Sequence, residues 1–208
     1  MCAHPSLGSG GAPDVGAGGE TYPADVTSHP PGGVPPAAGE AARAAVRAAL
    51  EGLGLPWSET RPRLFAVTLP GTAKLSTECA LEVGRHGLAV RAFVARRPDE
   101  NHAEVYRWLL ERNLKLRGIC FSLDATGDIH LTGAVPLASV TTTVVDQLLG
   151  AVAETADASF NPILERGFAT SIAREWAWRR SRGESTANMA AFAHLDPSTG
   201  SGRADPAP

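Results

Sequence analysis

The spacing of apolar residues predicts a helix followed by strands in the first half of the chain. Across residues 38–53 apolar side chains recur every three or four positions, which is typical of an amphipathic helix. Residues 64–69 are an apolar run that ends at a Pro-Gly turn, and this predicts a strand. Residues 75–83 alternate between apolar and polar types, which predicts a strand with one buried face. That face is expected to carry Leu75, Thr77, Cys79, Leu81 and Val83.

The middle of the chain is predicted to add a hairpin, a helix and a second hairpin. Residues 88–94 alternate again after a glycine-containing turn, so they should pair with the preceding strand. Residues 101–115 predict a helix. The runs 119–123 and 129–135, joined by a turn rich in Asp and Gly, predict the second hairpin.

The C-terminal part of the chain is predicted to be helical. A long helix is expected to begin at Thr141, because Thr is a favoured N-cap residue. Pro162 has no amide hydrogen, so we expect a kink or a restart near residues 159–161. The last helix is predicted over residues 168–182 and should end at Gly183. The element order α-β-β-β-α-β-β-α-α predicts an α+β fold, with an antiparallel sheet of about five strands and helices packed on one face.

Composition predicts that this domain lies between two tails. Residues 1–36 are rich in Gly and Pro and carry Tyr22 as their only aromatic residue, so they cannot bury enough apolar surface to offset chain entropy. We expect a disordered tail over residues 1–36, a folded domain over 37–195 and a second disordered tail over 196–208. There is no signal-peptide pattern and no apolar run of the ~20 residues that span a membrane. A cytoplasmic protein with no membrane partner is therefore predicted.

Charge and the titratable residues narrow the class of function. The net charge of -3 argues against a dedicated nucleic-acid binder, which needs a clustered basic surface. Cys79 and Cys120 fall in apolar strand patterns and are expected to be reduced core residues. His86, His102 and His130 have no metal-ligand spacing and are expected to face solvent or to cap turns. No cofactor and no metal site is predicted.

Two segments look like chemical motifs but lack their defining residues. Residues 71–76 do not have the first glycine or the Gly-Lys-Ser/Thr order of a phosphate loop, so a hairpin turn is predicted. Residues 183–187 contain a serine but not the preceding strand and second glycine of a nucleophile elbow. Ser185 is predicted to be the N-cap of a short segment over residues 186–192. No catalytic residue is predicted, and the protein is expected not to be an enzyme.

The last helix carries the residues best suited to binding a partner. Trp176 and Trp178 are separated by about 200° of helix rotation, so only one can face the core, and Trp176 is predicted to be that one. Trp178 with Arg174, Arg179 and Arg182 is the candidate partner-binding site, because aromatic residues and Arg are enriched at binding hot spots. Two alternatives stay open: Trp178 packs on the long helix of its own chain, or it stacks on a nucleic-acid base beside the arginines.

Several runs of the sequence resemble a known family. The runs are Val105–Asn113, Gly118–Phe121, Gly127–Ile129, Phe160–Phe168 and Ser171–Arg179. With them the chain resembles the YbjN-domain proteins of actinobacteria over roughly residues 55–192. Its element order is similar to that of the class I type III secretion chaperones. The resemblance implies a binding scaffold rather than an enzyme, in a family described as regulators of sensory transduction.

The resemblance leads to two hypotheses. The first is a non-enzymatic, chaperone-like or regulatory protein that binds another polypeptide through the exposed sheet face, a sheet edge or Trp178; the chaperone-like fold also implies a homodimer. The second is a small nucleic-acid-associated regulator that uses the helix Arg174–Arg182. Salt separates them, because nucleic-acid affinity collapses as salt rises and an apolar polypeptide interface does not.

Overall fold

A computed structural model describes residues 36–198. Of the tails predicted over residues 1–36 and 196–208, residues 1–35 and 199–208 lie outside the described residues. The described range contains four α-helices, six strands and two 3₁₀ segments. In chain order they are α1 (Pro36–Leu53), β1 (Trp57–Arg61), β2 (Leu64–Pro70), β3 (Ser76–Val83), β4 (Gly87–Ala95), α2 (His102–Asn113), β5 (Ile119–Leu123), β6 (Ile129–Pro136), a 3₁₀ turn (Leu137–Ser139), α3 (Thr142–Gly167), α4 (Ala169–Arg182) and a C-terminal 3₁₀ segment (Ala187–Leu195).

The strands form one antiparallel sheet in the order β1-β2-β3-β4-β6-β5. Both predicted hairpins are confirmed. Leu81 of β3 pairs with Val90 of β4, and Phe121 of β5 pairs with Leu131 of β6. The order leaves β1 and β5 as the edge strands of the sheet.

The predicted strand count of about five is one too low, because Trp57–Arg61 forms β1. This strand is polar and has no apolar alternation to reveal it. It is held by pairing with β2 and by Glu59, whose Oε1 accepts hydrogen bonds from Arg43 Nε at 2.8 Å and from the Arg63 amide at 2.9 Å. Arg63 adopts a left-handed φ of 70°, a turn conformation that Gly or Asn usually occupies, so the sequence does not indicate this turn.

The core lies between one face of the sheet and helices α1, α2 and α3, which confirms the predicted α+β architecture. Alternate strand residues point into it, among them Phe65, Leu81, Val90 and Leu131, each buried. Burying such a side chain contributes about 1.5–3 kcal/mol, so this face supplies the main stabilisation of the sheet.

Leu75 is the exception to the alternation predicted for β3. Thr77, Cys79, Leu81 and Val83 are buried as expected, but Leu75 is 83% exposed. Its carbonyl accepts a hydrogen bond from the Gly71 amide at 3.2 Å, and β3 begins only at the next residue. Leu75 therefore belongs to the turn between β2 and β3 and not to the pleated strand.

Helix α3 continues through Pro162, so of the kink or restart predicted near residues 159–161 the restart is wrong. Proline leaves the carbonyl of Ala158 without its helical donor. Ala158 is exposed, so water can bind that carbonyl, while Ser159 and Ile163 are buried and keep the helix packed on the core. The helix ends instead at Gly167.

The other predicted α-helix boundaries agree with the structure to within two residues, and one predicted N-cap differs. The Thr141 hydroxyl accepts a hydrogen bond from the Val144 amide at 3.2 Å, which confirms the N-cap of α3. Gly183 ends α4 with a φ of 68°. The C-terminal 3₁₀ segment has Thr186 and not Ser185 at its N-cap, although the Ser185 hydroxyl accepts from the Ala187 amide at 3.3 Å.

Candidate functional site

Helix α4 turns its two tryptophans in opposite directions, as predicted. Trp176 is 7% exposed and Trp178 is 45% exposed. The Arg182 guanidinium lies 5.2 Å from the centre of the Trp178 ring, a cation–π distance. Arg174 is also exposed, and its guanidinium contacts the Ser171 hydroxyl at 3.3 Å. Trp178 and Arg182 are thus brought together on the outer side of α4.

Arg179 lies on a different side of α4 from this pair. Its Nε donates to Glu175 Oε1 at 2.6 Å, and its Nη1 donates to the Ser185 carbonyl at 3.1 Å and to Asn188 Oδ1 at 3.4 Å. These bonds join α4 to the C-terminal 3₁₀ segment. The four residues predicted as one binding site therefore divide between two surfaces.

The surface that Arg179 faces is a groove of about 570 Å³, which we call the α3–α4 groove. Its walls come from the turn before β3, the end of β4, the C-terminal part of α3, helix α4 and the C-terminal 3₁₀ segment. The lining is mainly apolar and consists of Lys74, Phe93, Val94, Ala95, Arg96, Phe160, Leu164, Phe168, Ser171, Ile172, Glu175, Arg179, Asn188, Met189 and Phe192.

Lys74 is a half-buried cation in this lining. Its Nζ donates to the Phe93 carbonyl and, at 2.9 Å, to the Val94 carbonyl. The ammonium lies 5.0 Å from the centre of the Phe93 ring and 5.9 Å from that of Phe160. Burial lowers the pKa of Lys74, and the charge of Glu78 partly opposes this change.

The backbone around Lys74 is fixed by a carboxylate from α3. Asp157 Oδ1 accepts hydrogen bonds from the amides of Thr72, Ala73 and Lys74, each at 2.8 Å. Its Oδ2 accepts from the Thr72 hydroxyl at 2.7 Å. A Cβ at Gly71 would lie 2.6 Å from Asp157 Oδ1, so only glycine fits this closely packed turn.

The start of α4 is anchored to the segment between β4 and α2. Glu100 accepts hydrogen bonds from the Thr170 amide and hydroxyl, both at 2.7 Å. Asp99 accepts from the Ser171 hydroxyl at 2.9 Å and pairs with Arg96 at 2.5 and 2.7 Å. The hydrogen bond from Arg96, and then the one from Ser171, lowers the pKa of Asp99 to about 2. The Arg96 guanidinium in turn lies 4.3 Å from the centre of the Phe168 ring, which lines the groove.

The exposed face of the sheet carries a polar cluster that includes His130. His130 is 8% exposed, so its predicted solvent-facing or capping role is wrong. Its Nε2 lies 3.1 Å from both Arg91 Nη2 and Asp124 Oδ2, and its ring meets the Phe93 ring edge-on at 5.6 Å. Hydrogen bonds from Thr126 and its neighbours, His130 among them, lower the pKa of Asp124.

The two cysteines of the sheet differ in their environment. Cys79 is buried as predicted, and burial raises the pKa of its thiol to about 12, which keeps it protonated. Cys120 is exposed, so its predicted core position is wrong. It lies between Ile119 and Phe121, which both point inward, and strand geometry therefore turns Cys120 outward.

The edge strand β5 is partly closed to a further strand. The Phe121 amide donates to Asn113 Oδ1 at 2.7 Å, and the Phe121 carbonyl accepts from Asn113 Nδ2 at 3.3 Å. A side chain of α2 thus takes the place of a pairing strand at this residue.

Over residues 36–198, no three His, Cys, Asp or Glu side chains are arranged to hold a metal ion. Within the same range no helix is both long and apolar enough to cross a bilayer.

The chain belongs to the YbjN family: residues 42–165 match the family described as "Putative bacterial sensory transduction regulator". The uncharacterized proteins Rv0487 of Mycobacterium tuberculosis and Mb0497 of Mycobacterium bovis are each 51% identical to it over 138 residues, which cover 66% of this chain and 75% of theirs. ML2442 of Mycobacterium leprae is 51% identical over 140 residues, which cover 67% of this chain and 76% of its own. The resemblance to the YbjN family is therefore confirmed.

Two solved complexes are similar to the chain at 17% identity. The ExsC-ExsE complex is matched over 58% of this chain and 90% of that chain, with a TM-score of 0.42. The heterodimeric ExoU-SpcU complex from the type III secretion system of Pseudomonas aeruginosa is matched over 57% and 96%, also with a TM-score of 0.42.

The groove is the part of the site that sequence reasoning missed. The turn over residues 71–76 was correctly predicted, but nothing in it indicates that Lys74 reaches the rings of Phe93 and Phe160. One signal was present: Lys74 and Lys115 are the only lysines in a chain with 19 basic residues.

Proposed function

We propose that this protein is a non-enzymatic regulatory or chaperone-like protein that binds a segment of another polypeptide in the α3–α4 groove. The observation that carries the proposal is the mainly apolar lining of that groove, which has a volume of about 570 Å³. The family description as a sensory transduction regulator supports a regulatory role.

The residue types in the walls favour a polypeptide. Phe93, Phe160 and Phe192 offer large rigid surfaces, and Met189 can adapt to side chains of different shape. The rim is polar, and Arg179 and Glu175 are already bonded to each other there. A central apolar patch inside a satisfied polar rim is the usual composition of a protein-binding hot spot.

A selection with displayed random 12-residue peptides tests the proposal on the full chain. Peptides selected on the wild type are measured against Ile172→Ser and Phe192→Ser, which remove apolar surface from α4 and from the C-terminal 3₁₀ segment. They are also measured against Leu110→Ser, which removes a 66% exposed leucine from α2. The two groove variants should each weaken binding at least about tenfold, the effect of losing roughly 1.4 kcal/mol. The α2 variant should bind as the wild type does.

Thermal unfolding of each variant separates loss of binding from loss of folding. Peptides that bind folded Ile172→Ser and Phe192→Ser as tightly as the wild type would contradict the proposal. A homodimer remains a prediction, and light scattering on the full chain tests it.

The second candidate function, binding to nucleic acid, is favoured by the exposed Trp178, Arg174 and Arg182 on the outer side of α4. Two other arginines of this helix are already paired, Arg179 with Glu175 and Arg180 with Asp196, which reduces the basic surface. Gel shifts with a defined duplex and a single strand of about 30 nucleotides test it. Binding that falls steeply with salt and is lost in Arg174→Gln/Arg182→Gln would support this function.

A further inference from the structure

We propose that the polypeptide segment bound in the α3–α4 groove is acidic, and that it places an Asp or Glu carboxylate against Lys74 while its apolar neighbours fill the groove. This inference rests on the proposed function, because it concerns the same groove. It adds the chemical class of the partner, which the apolar lining alone does not define.

The balance of charge in the groove carries the argument. Its charged lining residues are Lys74, Arg96, Glu175 and Arg179. Arg179 is neutralised by Glu175 at 2.6 Å, and Arg96 is neutralised by Asp99, which lies just outside the groove. Lys74 makes no salt bridge with any residue in the described range, 36–198. Within residues 36–198 the Lys74 ammonium is therefore the positive charge of the groove without a salt-bridge partner, and Glu78 acts on it only from beyond salt-bridge distance.

The position of that ammonium leaves it able to bind a ligand. An ammonium has three N–H donors, and the carbonyls of Phe93 and Val94 accept two of them. The rings of Phe93 and Phe160 lie beside the group and reduce its contact with water. A carboxylate gains more from a partly desolvated cation than from an exposed one, because the effective dielectric constant is lower.

The position is also rigid before any partner binds. The hydrogen bonds of Asp157 fix the backbone from Thr72 to Lys74, so a ligand need not order this turn. Less conformational entropy is lost when a binding group is already in place. A single cation suits one carboxylate, whereas a nucleic-acid backbone needs several unpaired cations, and a basic segment would be repelled.

The experiment compares peptide selections on the wild-type full chain and on Lys74→Met, with Lys115→Met as the matched control. Lys74→Met keeps the apolar stem and removes the charge, and Lys115 is the chain's other lysine, exposed after α2. Wild-type selections should contain apolar residues and one Asp or Glu at a constant spacing. Selections on Lys74→Met should keep the apolar residues and lose the acidic one.

A double-mutant cycle then measures the contact. The tightest peptide should bind Lys74→Met about tenfold more weakly than the wild type and Lys115→Met equally well. Exchanging the peptide's Glu for Gln should weaken binding to the wild type by a similar factor and should have little further effect on Lys74→Met. The peptide exchange tests the contact on unaltered protein even if Lys74→Met folds poorly.

Two results would overturn the inference while the proposed function stands. One is groove-dependent peptides with no acidic preference, and the other is an acidic preference that Lys74→Met retains. If the peptides bind Ile172→Ser and Phe192→Ser as tightly as the wild type, both the proposed function and this inference are contradicted.

Discussion

The Asp157 carboxylate is expected to contribute more to stability than a partly exposed helix residue usually does. It accepts three amide hydrogen bonds at 2.8 Å and the Thr72 hydroxyl at 2.7 Å. Asp157→Ala removes these acceptors together. The amides of residues 72–74 would then donate to water instead, and the turn that carries Lys74 would no longer be bonded to α3.

The magnitude follows from the number of bonds and their exposure. A hydrogen bond contributes about 0.5–1.5 kcal/mol net, and the lower end applies because Asp157 is partly solvated. Four bonds at about 0.5 kcal/mol each predict a loss of about 2 kcal/mol. Burial acts to raise the pKa of Asp157, but the hydrogen bonds from Thr72 and the amides outweigh it and lower the pKa. Because the folded state favours the carboxylate, the loss should be full at pH 7 and should shrink as the pH falls below about 4.

Urea unfolding of the full chain, followed by tryptophan fluorescence, measures this loss. The matched control is Asp146→Ala, because Asp146 is exposed on the same helix and its side chain has no hydrogen bond or ion pair within residues 36–198. Both substitutions gain the same helix propensity, so their difference isolates the turn. A difference below about 0.5 kcal/mol would refute the account of this turn.

Three further predictions concern α4 and the same turn. Trp178→Ala, at a 45% exposed position, should lower the free energy of unfolding by less than about 1 kcal/mol, whereas Trp176→Ala, at a 7% exposed position, should lower it by about 3 kcal/mol. Equal losses in urea unfolding would contradict this. Since the hydrogen bond from Arg96 lowers the pKa of Asp99 to about 2, that contact contributes to stability above about pH 4 and loses its contribution as the pH falls to about 2. In Asp99→Asn the free energy of unfolding should therefore decrease less between pH 5 and pH 2 than in the wild type. An equal decrease in both proteins would contradict this role of Asp99. Gly71→Ala should lower the thermal midpoint by several degrees, because a Cβ there would overlap a backbone carbonyl and a carboxylate; a wild-type midpoint would disprove the close packing.

The elements that follow from local patterns could be predicted from the sequence. Alternation in residues 75–83 and 88–94 predicted the hairpin of β3 and β4, and the N-cap residue Thr141 predicted the start of α3. β1 could not be found in this way, because its five residues have no apolar alternation; it pairs with β2, and Glu59 contacts Arg43 of α1. Of the kink or restart predicted near Pro162, the restart does not occur, and the buried neighbours Ser159 and Ile163 keep the helix packed on the core despite one lost hydrogen bond.

The candidate site could be predicted only in part. The opposite orientation of Trp176 and Trp178 follows from helix rotation and was foreseen. The grouping of Arg179 with Trp178 was not correct. Hydrogen bonds from Arg179 to the Ser185 carbonyl and to Asn188 Oδ1 turn its side chain toward the groove.

The groove itself depends on contacts between distant parts of the chain. Phe93, Phe160 and Met189 are separated by whole elements and meet only after the sheet, α3 and the C-terminal 3₁₀ segment have packed. No spacing rule links such positions. His130 was misjudged for the same reason, since Arg91 from β4 and Asp124 from the turn after β5 bury a ring that strand alternation places on the outer face.

The most direct test of the account is an amide NMR titration of the ¹⁵N-labelled full chain with the tightest peptide from the wild-type selection. We expect the largest shift changes at Lys74, Ile172 and Met189, with Trp178 on the outer side of α4 nearly unchanged. Changes centred on Trp178 and Arg182, or on the exposed sheet face around Arg91, would contradict the claim that the α3–α4 groove binds the partner.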